Sequence, residues 1–213
     1  GVDSVLSINE SENPITWNET YTKGKNGTPY KDSIHKNDRD IIILPETFTT
    51  GFPAEPELFA EDENGPTMTW FKEKAIERNC AICGSFITSF SQQEKTQGLK
   101  FHNTFVWMNP DGSYQTYDKR HTVMGDEKEQ LCTGENITTI NYKGWRIRPF
   151  VCYDLRFPIW LRNSYKNNEF GYDLAIVIAN WPMQKSHIWN TLLPARAIEN
   201  QAYFIGVNRV GID

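Results

Sequence analysis

Three polar residues of complementary chemistry stand at the ends of strand-like runs: Glu46 after IIILP, Lys119 after YQTYD and Cys152 after RPFV. In open α/β sheets, the strand ends are where ligands bind, so residues far apart in sequence can meet there. A thiol with an ordinary pKa of about 8.5 needs a base or a positive field before it attacks a carbonyl group. A carboxylate can serve as that base, and an ammonium can favour the thiolate and stabilise an oxyanion. The three types together predict nucleophilic attack on a carbonyl carbon.

Each of these residues also has a plain structural interpretation. A glutamate after a buried strand, a solvated lysine and a packed cysteine are all common, and only their combination indicates catalysis. Cys80 and Cys83 form the spacing C-A-I-C within a strand-like run, where residues three apart point to opposite faces. We therefore expect structural packing for this pair rather than a zinc site or a redox pair.

A cysteine–histidine hydrolase is an alternative, because the chain offers histidines as bases. They are His35, His102, His121 and His187. His121 lies beside Lys119, and the other three carry no motif of a cysteine protease. The histidine alternative is therefore the weaker of the two.

The first half of the chain alternates between strand and helix patterns. DIIIL at 40–44 predicts a strand that is buried on both faces, and TMTWFKEKAIERN predicts a helix from Thr67 to Asn79. A strand is expected at 80–88. Two further strands, 102–109 and 113–119, flank Asn109-Pro110-Asp111-Gly112, which predicts a hairpin.

The second half continues this alternation. Two strand runs surround Tyr142-Lys143-Gly144, a helix is expected from Ile159 to Asn167, and DLAIVIAN at 173–180 predicts a buried strand. A helix near Trp189 to Asn200 and a strand at 202–208 follow. We expect a layered α/β fold with a mixed sheet and a single domain over residues 1–213, with no internal repeat. Residues 1–39 and the last residues show little periodicity, which predicts incomplete or unusual ends.

Composition narrows the class of protein. The chain has 213 residues, 38% of them hydrophobic, and a net charge of −5, which gives no general attraction to nucleic acid or to anionic membranes. No apolar run approaches the length of a membrane span. Four cysteines in a chain of this size are expected to stay reduced, which favours a cytoplasmic enzyme.

The sequence around each candidate residue resembles the nitrilase superfamily, the carbon–nitrogen hydrolases. The segments are ILPETFTTGF around Glu46, YDKRH around Lys119 and VCYDLRFP around Cys152. Downstream, DLAIVIANWP and WNTLLPARAIENQAYFIGVNRVG also resemble this family, so the resemblance extends from Asp40 to Gly211. The combination is most similar to the branch of ω-amidases, which hydrolyse the terminal amide of 2-oxoglutaramate-type acids or of deaminated glutathione.

This resemblance implies a four-layer α-β-β-α sandwich with mixed sheets and no metal or organic cofactor. It also implies homodimers paired through the helical layers, or a higher homo-oligomer. It also implies that Glu46 is the general base, Lys119 the cation that stabilises the oxyanion and Cys152 the nucleophile. A second glutamate follows the lysine in this family, and MGDE places it at Glu127. The spacing is one residue shorter than the ω-amidase pattern, so Glu129 remains an alternative.

An acid substrate needs a cation or amide groups to hold its far carboxylate. Arg156, four residues after the nucleophile, is a candidate for this role, although it could equally pair with Asp154. Tyr153 and Trp181 are candidates for the pocket wall.

Two phenylalanines follow the candidate base. Phe48 and Phe52 lie in the loop after Glu46, where they could close over an apolar substrate chain. Two alternatives for the whole protein stay open. One is another amidase or nitrilase branch, and the other is a catalytically silent family member that acts as a binding subunit.

Overall fold

The computed structural model describes the backbone of residues 5–7, 16–17 and 126 and, in full, residues 40–51, 55–89, 101–123, 125 and 127–210. These residues form twelve strands and five α-helices, together with short 3-10 turns at Cys152–Arg156 and Met183–Lys185. The strands are β1 (Val5–Ser7), β2 (Thr16–Trp17), β3 (Ile41–Ile43), β4 (Ala81–Thr88), β5 (His102–Met108), β6 (Tyr114–Asp118), β7 (Ile140–Tyr142), β8 (Trp145–Val151), β9 (Tyr165–Lys166), β10 (Glu169–Phe170), β11 (Leu174–Ala179) and β12 (Tyr203–Asn208). The helices are α1 (Pro56–Phe59), α2 (Pro66–Arg78), α3 (Asp126–Gln130), α4 (Pro158–Leu161) and α5 (Ser186–Asn200).

The first sheet has the strand order β2-β1-β3-β4-β5-β6 among the described residues. Strands β3 and β4 are parallel, whereas β4, β5 and β6 are antiparallel neighbours. The hairpin between β5 and β6 turns at Gly112, whose φ of 83° favours glycine. The predicted hairpin and the mixed character of the sheet are thereby confirmed.

The second sheet has the order β12-β11-β8-β7. Strand β11 runs parallel to both β8 and β12, and β7 pairs with β8 in the antiparallel direction. Every residue of β11 is buried, as expected for a central parallel strand with both faces covered.

The two sheets face one another with helices outside them. One hydrophobic cluster joins residues of both sheets, for example Phe105 and Trp107 from β5 with Phe150 from β8. A second cluster lies between the outer face of the first sheet and α2, which contributes Met68 and Phe71. Helix α5 contacts β12 of the second sheet. These contacts confirm the four-layer α-β-β-α arrangement that the family resemblance implied.

Helix α2 shows why its boundaries follow from the sequence. Pro66 occupies the first turn, where a missing N–H costs nothing, and the Glu61 carboxylate accepts the N–H of Thr67 at 2.7 Å. Asn79 ends the helix in the left-handed conformation with φ 50°. The predicted range, Thr67 to Asn79, differs from the observed helix by one residue at each end.

The helix predicted from Ile159 to Asn167 is wrong beyond its first turn. Helix α4 ends at Leu161, and β9 and β10 form a small antiparallel hairpin in place of the remainder. The reason is tertiary, because the Asn163 amide donates to the carbonyl oxygens of Tyr172 at 2.9 Å and Asn200 at 3.1 Å. These buried bonds fix a non-helical backbone that local propensity does not reveal.

The remaining sequence predictions have mixed outcomes. Short strands β1 and β2 lie within the range 1–39, where the sequence showed little periodicity, and β1 pairs with β3. Cys80 packs in the outer cluster and Cys83 in the cluster between the sheets, which confirms their opposite orientations. No helix among the described residues is both long and apolar enough to cross a membrane.

Candidate active site

The three candidate residues reach one site from both sheets. Glu46 lies in the loop after β3, and Lys119 directly follows β6 of the same sheet. Cys152 directly follows β8 of the facing sheet. The antiparallel pairing of β5 with β6 and the facing sheets therefore bring together residues that the sequence separates widely.

Lys119 lies between two carboxylates. Its Nζ atom is 2.8 Å from Oε1 of Glu46 and 2.7 Å from Oε1 of Glu127, and all three side chains are at most 1% exposed. Fully desolvated charges are costly unless they are paired with good geometry, and the two short contacts supply that pairing. The site therefore holds a fixed ammonium with a carboxylate on either side.

Additional donors orient both carboxylates. The Asn103 amide donates to Oε1 of Glu46 at 2.9 Å, and the backbone N–H of Asn180 donates to Oε2 of Glu46 at 2.8 Å. The backbone N–H of Val123 donates to Oε2 of Glu127 at 2.6 Å. The sequence analysis did not single out Asn103 or Asn180. For Asn180, its position directly after the buried run LAIVIA was the available signal.

The pKa of each group follows from burial and its neighbours. Burial alone would lower the pKa of Lys119, but attraction to the carboxylates of Glu46 and Glu127 outweighs this effect and raises it. Burial raises the pKa of Glu127, with Lys119 acting in the opposite direction. Lys119 therefore stays charged at neutral pH.

Burial also raises the pKa of the Cys152 thiol, and the negative charge of Glu46 raises it further, against a lowering effect of Lys119. A hydrogen bond with Glu46 contributes in the same upward direction. Cys152 is therefore a neutral thiol at rest, with a carboxylate beside it that can accept its proton. This arrangement suits general-base activation rather than a preformed thiolate.

Backbone strain is present at two positions in the site. Cys152 has φ 46° and opens the 3-10 turn Cys152–Arg156, while Thr47, next to Glu46, has φ 44°. Residues other than glycine rarely adopt this left-handed backbone conformation, and each such residue lowers the stability of the fold by about 1–3 kcal/mol. Such strain persists where surrounding contacts impose it, and it is concentrated at functional sites.

The two candidates for the second glutamate differ in position. Glu127 is buried at the start of α3 and contacts Lys119, whereas Glu129, two residues later on the same helix, is exposed. Residues two apart on a helix point in different directions, so one helix cannot bring both to the lysine. The structure brings Glu127, and not Glu129, to Lys119 and Glu46.

Three of the predicted substrate-binding residues lie near one another. The guanidinium carbon of Arg156 is 5.6 Å from the ring centroid of Tyr153 and 5.4 Å from that of Trp181. The Nε atom of Arg156 is buried and has no hydrogen-bond partner among the described residues. The expectation that Arg156 could pair with Asp154 is wrong, because the Asp154 carboxylate binds Tyr117, His121 and the N–H of Val151 instead.

The predicted role of Phe48 is not supported by its position. Its ring packs on α2, with ring centroids 5.5 Å from Phe71 and 6.0 Å from Trp70, so it faces the outer cluster. The preceding residue, Thr47, has a left-handed backbone conformation, which turns the chain so that Phe48 points toward α2. Phe52 lies outside the described residues.

The contacts of His121 argue against a cysteine–histidine hydrolase. Nδ1 of His121 is 2.8 Å from Oδ1 of Asp154, and the imidazole stacks on Phe157 with ring centroids 3.6 Å apart. The partner of the Cys152 thiol is the Glu46 carboxylate. Within the described residues, no group of three or more histidine, cysteine, aspartate or glutamate side chains is arranged to hold a metal ion.

Comparison with known proteins adds independent findings. The model of the carbon–nitrogen hydrolase family matches residues 8–213. Omega-amidase YafV of Yersinia enterocolitica is 37% identical over 211 residues, which is 99% of this chain and 77% of that protein. Omega-amidase YafV of Escherichia coli K12 is 39% identical over 98% of this chain and 76% of its own length. The 2-oxoglutaramate amidase of Bacillus subtilis is 28% identical over 85% of this chain and 66% of its own length.

Solved structures share the fold. XC1258 of Xanthomonas campestris, described as a CN-hydrolase superfamily protein, superposes with a TM-score of 0.75 and 42% identity over 83% of this chain and 66% of its own. An amidase from Nesterenkonia sp. AN1, with acrylamide added to its active-site cysteine, superposes with a TM-score of 0.67 at 20% identity, over 81% and 66% of the two chains. The chain thus spans about three quarters of its omega-amidase relatives and about two thirds of these solved chains.

Proposed function

The chain belongs to the carbon–nitrogen hydrolase family, and we propose that it is a cysteine ω-amidase that releases ammonia from the terminal amide of a small carboxylic acid. The observation that carries this proposal is the buried pair of contacts from Lys119 to Glu46 and Glu127 beside the Cys152 thiol. The names of the omega-amidase and 2-oxoglutaramate amidase relatives support a 2-oxoglutaramate-type substrate, with deaminated glutathione as another candidate.

We assign one role to each residue of the site. Cys152 is the nucleophile, Glu46 the general base and then the general acid, and Lys119 the cation that faces the developing oxyanion. Glu127 holds the Lys119 ammonium in place through its contact of 2.7 Å. With two carboxylates to one ammonium, the site retains a proton acceptor while Lys119 stays charged.

The first half of the reaction forms a thioester. The Cys152 thiol gives its proton to Glu46 as the sulfur attacks the amide carbon, and the carbonyl oxygen becomes an oxyanion held by Lys119 and by the N–H of Tyr153. The carbon–nitrogen bond then breaks. Protonated Glu46 gives its proton to the departing nitrogen, which leaves as ammonia because an amide nitrogen is too basic to leave as an anion.

The second half consumes water. Glu46 takes a proton from a water molecule as its oxygen attacks the thioester carbon, which forms a second oxyanion in the same position. The carbon–sulfur bond breaks, the acid is released, and the sulfur recovers its proton from Glu46. One base therefore serves both halves, which agrees with the several donors that hold Glu46 in a single orientation.

Arg156 is the proposed clamp for the far carboxylate of the substrate. Its guanidinium lies near Tyr153 and Trp181, and its buried Nε lacks a partner within the described ranges, which leaves a donor available for a carboxylate oxygen. Tyr153 and Trp181 form the wall beside it, and Phe52 remains a proposed contact of the substrate chain. This arrangement favours acid amides over neutral ones.

We further propose a single domain that forms homodimers through its helical layers in the cytoplasm. Exposed apolar side chains on α4 and α5 support the pairing, since Ile159 is 92% and Ile198 78% exposed. None of the four cysteines forms a disulfide within the described residues, which agrees with a reducing compartment. Sedimentation velocity at micromolar concentration tests the dimer, and a monomeric mass contradicts it.

The decisive experiment measures ammonia release from a small panel with Cys152→Ala beside the wild type. The panel is 2-oxoglutaramate, 2-oxosuccinamate, deaminated glutathione, glutamine, asparagine and a simple nitrile. We expect release from the oxo-acid amides that disappears in the variant. Release from the nitrile alone indicates another branch, and no release from any compound by a folded protein supports the silent binding subunit.

A further inference from the structure

Asp154, two residues after Cys152, has a fully buried carboxylate with a donor on every side. Oδ1 accepts the backbone N–H of His121 at 2.9 Å and lies 2.8 Å from Nδ1 of the same residue. Oδ2 accepts the hydroxyl of Tyr117 at 2.6 Å and the backbone N–H of Val151 at 3.0 Å. The carboxylate therefore has a bonding partner for each oxygen, and none of these partners is a lysine or arginine in the part of the chain that the structure describes.

These donors belong to the two segments that carry the reactive groups. Segment 117–121 continues β6 of the first sheet and has Lys119 at its centre. Segment 151–154 continues β8 of the second sheet and contains Cys152. The Asp154 carboxylate thus links the two sheets beside the Lys119 ammonium and the Cys152 thiol.

Aromatic groups enclose this network. The Tyr117 hydroxyl accepts the indole N–H of Trp160 at 2.9 Å, and the His121 imidazole stacks on Phe157 with planes 6° apart. Burial raises the pKa of Tyr117 and the charge of Asp154 raises it further, so the phenol stays a donor at neutral pH. The network has little freedom to rearrange.

We propose that Asp154 is a positioning residue, which sets the placement of the Lys119 ammonium relative to the Cys152 thiol. This inference rests on the proposed function for the roles of those two groups. A carboxylate that only stabilised the fold would need no particular donors, whereas the described donors here all come from the two reactive segments.

The strained backbone of Cys152 gives a reason for a positioning residue. Cys152 has φ 46°, and the bond from the Val151 N–H to Asp154 closes the turn that contains it. Strained conformations persist only where surrounding contacts determine them. Loss of this bond lets the turn relax and moves the thiol, and a displacement of about 1 Å can cost on the order of 100-fold in rate.

The test variant is Asp154→Asn, which preserves shape but places an NH2 group opposite two donors. We expect kcat to fall on the order of 100-fold while KM changes by less than about threefold, because substrate contacts remain. The rate at which iodoacetamide alkylates Cys152, followed by mass spectrometry, falls as well. This second readout needs no turnover.

Substitutions at Tyr117 and His121 keep the test decisive if Asp154→Asn folds poorly. Tyr117→Phe removes one donor from Oδ2 and gives a smaller loss of kcat, and His121→Asn, which keeps a side-chain N–H donor, retains more activity than His121→Ala. Adding Tyr117→Phe to Asp154→Asn causes little further loss, because both act through one carboxylate.

Asp173→Asn is the matched control. That carboxylate binds Arg146 at 2.7 Å in a network that contains none of the proposed catalytic residues, so its loss lowers Tm without changing kcat or alkylation. A folded Asp154→Asn protein with the kcat and alkylation rate of the control overturns the proposal. If the wild type hydrolyses no amide, the proposed function fails, and the alkylation comparison still decides the role of Asp154.

Discussion

Nζ of Lys119 lies 2.7 Å from Oε1 of Glu127, and neither side chain is more than 1% exposed. The contact leaves Glu46 as a second, independently oriented carboxylate on the same ammonium, at 2.8 Å. A buried lysine with two acidic partners keeps its charge, and a buried carboxylate beside a thiol can accept a proton. We therefore propose that Glu127 fixes the ammonium and that Glu46 accepts the thiol proton.

Glu127→Gln tests whether the second glutamate fixes Lys119. The amide cannot supply the same charge-assisted bond, so Lys119 loses its fixed position and kcat falls on the order of 100-fold. Steady-state ammonia release measures the effect. Glu129→Gln, on the exposed side of the same short helix, keeps wild-type kcat, and an equal loss in both variants contradicts the assignment.

Glu46→Gln tests the general base. A glutamine cannot accept the thiol proton, and removal of a general base lowers kcat by about 10²- to 10⁴-fold. Ammonia release and circular dichroism are measured together, since the amide still accepts the Asn180 N–H and the fold is expected to persist. A turnover near that of the wild type would mean that another group takes the proton.

Arg156→Met tests the carboxylate clamp. A charge-assisted hydrogen bond contributes roughly 1.5–3 kcal/mol, so KM for 2-oxoglutaramate rises about 10- to 100-fold, whereas KM for a neutral amide such as propionamide changes little. Arg162→Met removes an exposed arginine and serves as the control. Equal losses on both substrates would indicate a structural role for Arg156.

The raised pKa of Cys152 predicts a dependence of stability on alkaline pH. Its folded-state pKa lies well above the ordinary thiol range of about 8–9, so the unfolded chain releases the thiol proton first as pH rises. The thiol's contribution is therefore present below about pH 9 and lost as pH rises above it, by about 1.4 kcal/mol per pH unit.

Urea unfolding between pH 7 and 11 measures this dependence. We expect the free energy of unfolding to decline above pH 9, and to decline less steeply in Cys152→Ala. Cys83 and Tyr117 also have raised pKa values through burial, so part of the decline remains in the variant. Identical slopes in the two proteins would contradict the burial of a neutral thiol at Cys152.

Sequence patterns predicted the elements whose signals lie within a few neighbouring residues. The buried run at 40–44, the hairpin at 109–112 and the helix ending near Asn79 were predicted, because apolar periodicity, turn residues and end signals act within a few residues. The predicted helix at 159–167 was wrong beyond its first turn, because the hydrogen bonds of Asn163 reach Tyr172 and Asn200. Such distant partners leave no periodic mark on the sequence.

The sequence by itself determined the residue types of the site and the strand ends that carry them, since Glu46, Lys119 and Cys152 each follow a strand. Only the tertiary structure decided which neighbours meet: Glu127 rather than Glu129 contacts Lys119, Phe48 faces α2, and Asp154 binds the lysine segment rather than Arg156. The physical reason is that strand and turn propensities act over a few residues, whereas side-chain direction at a site is set by the facing sheet and by buried hydrogen bonds.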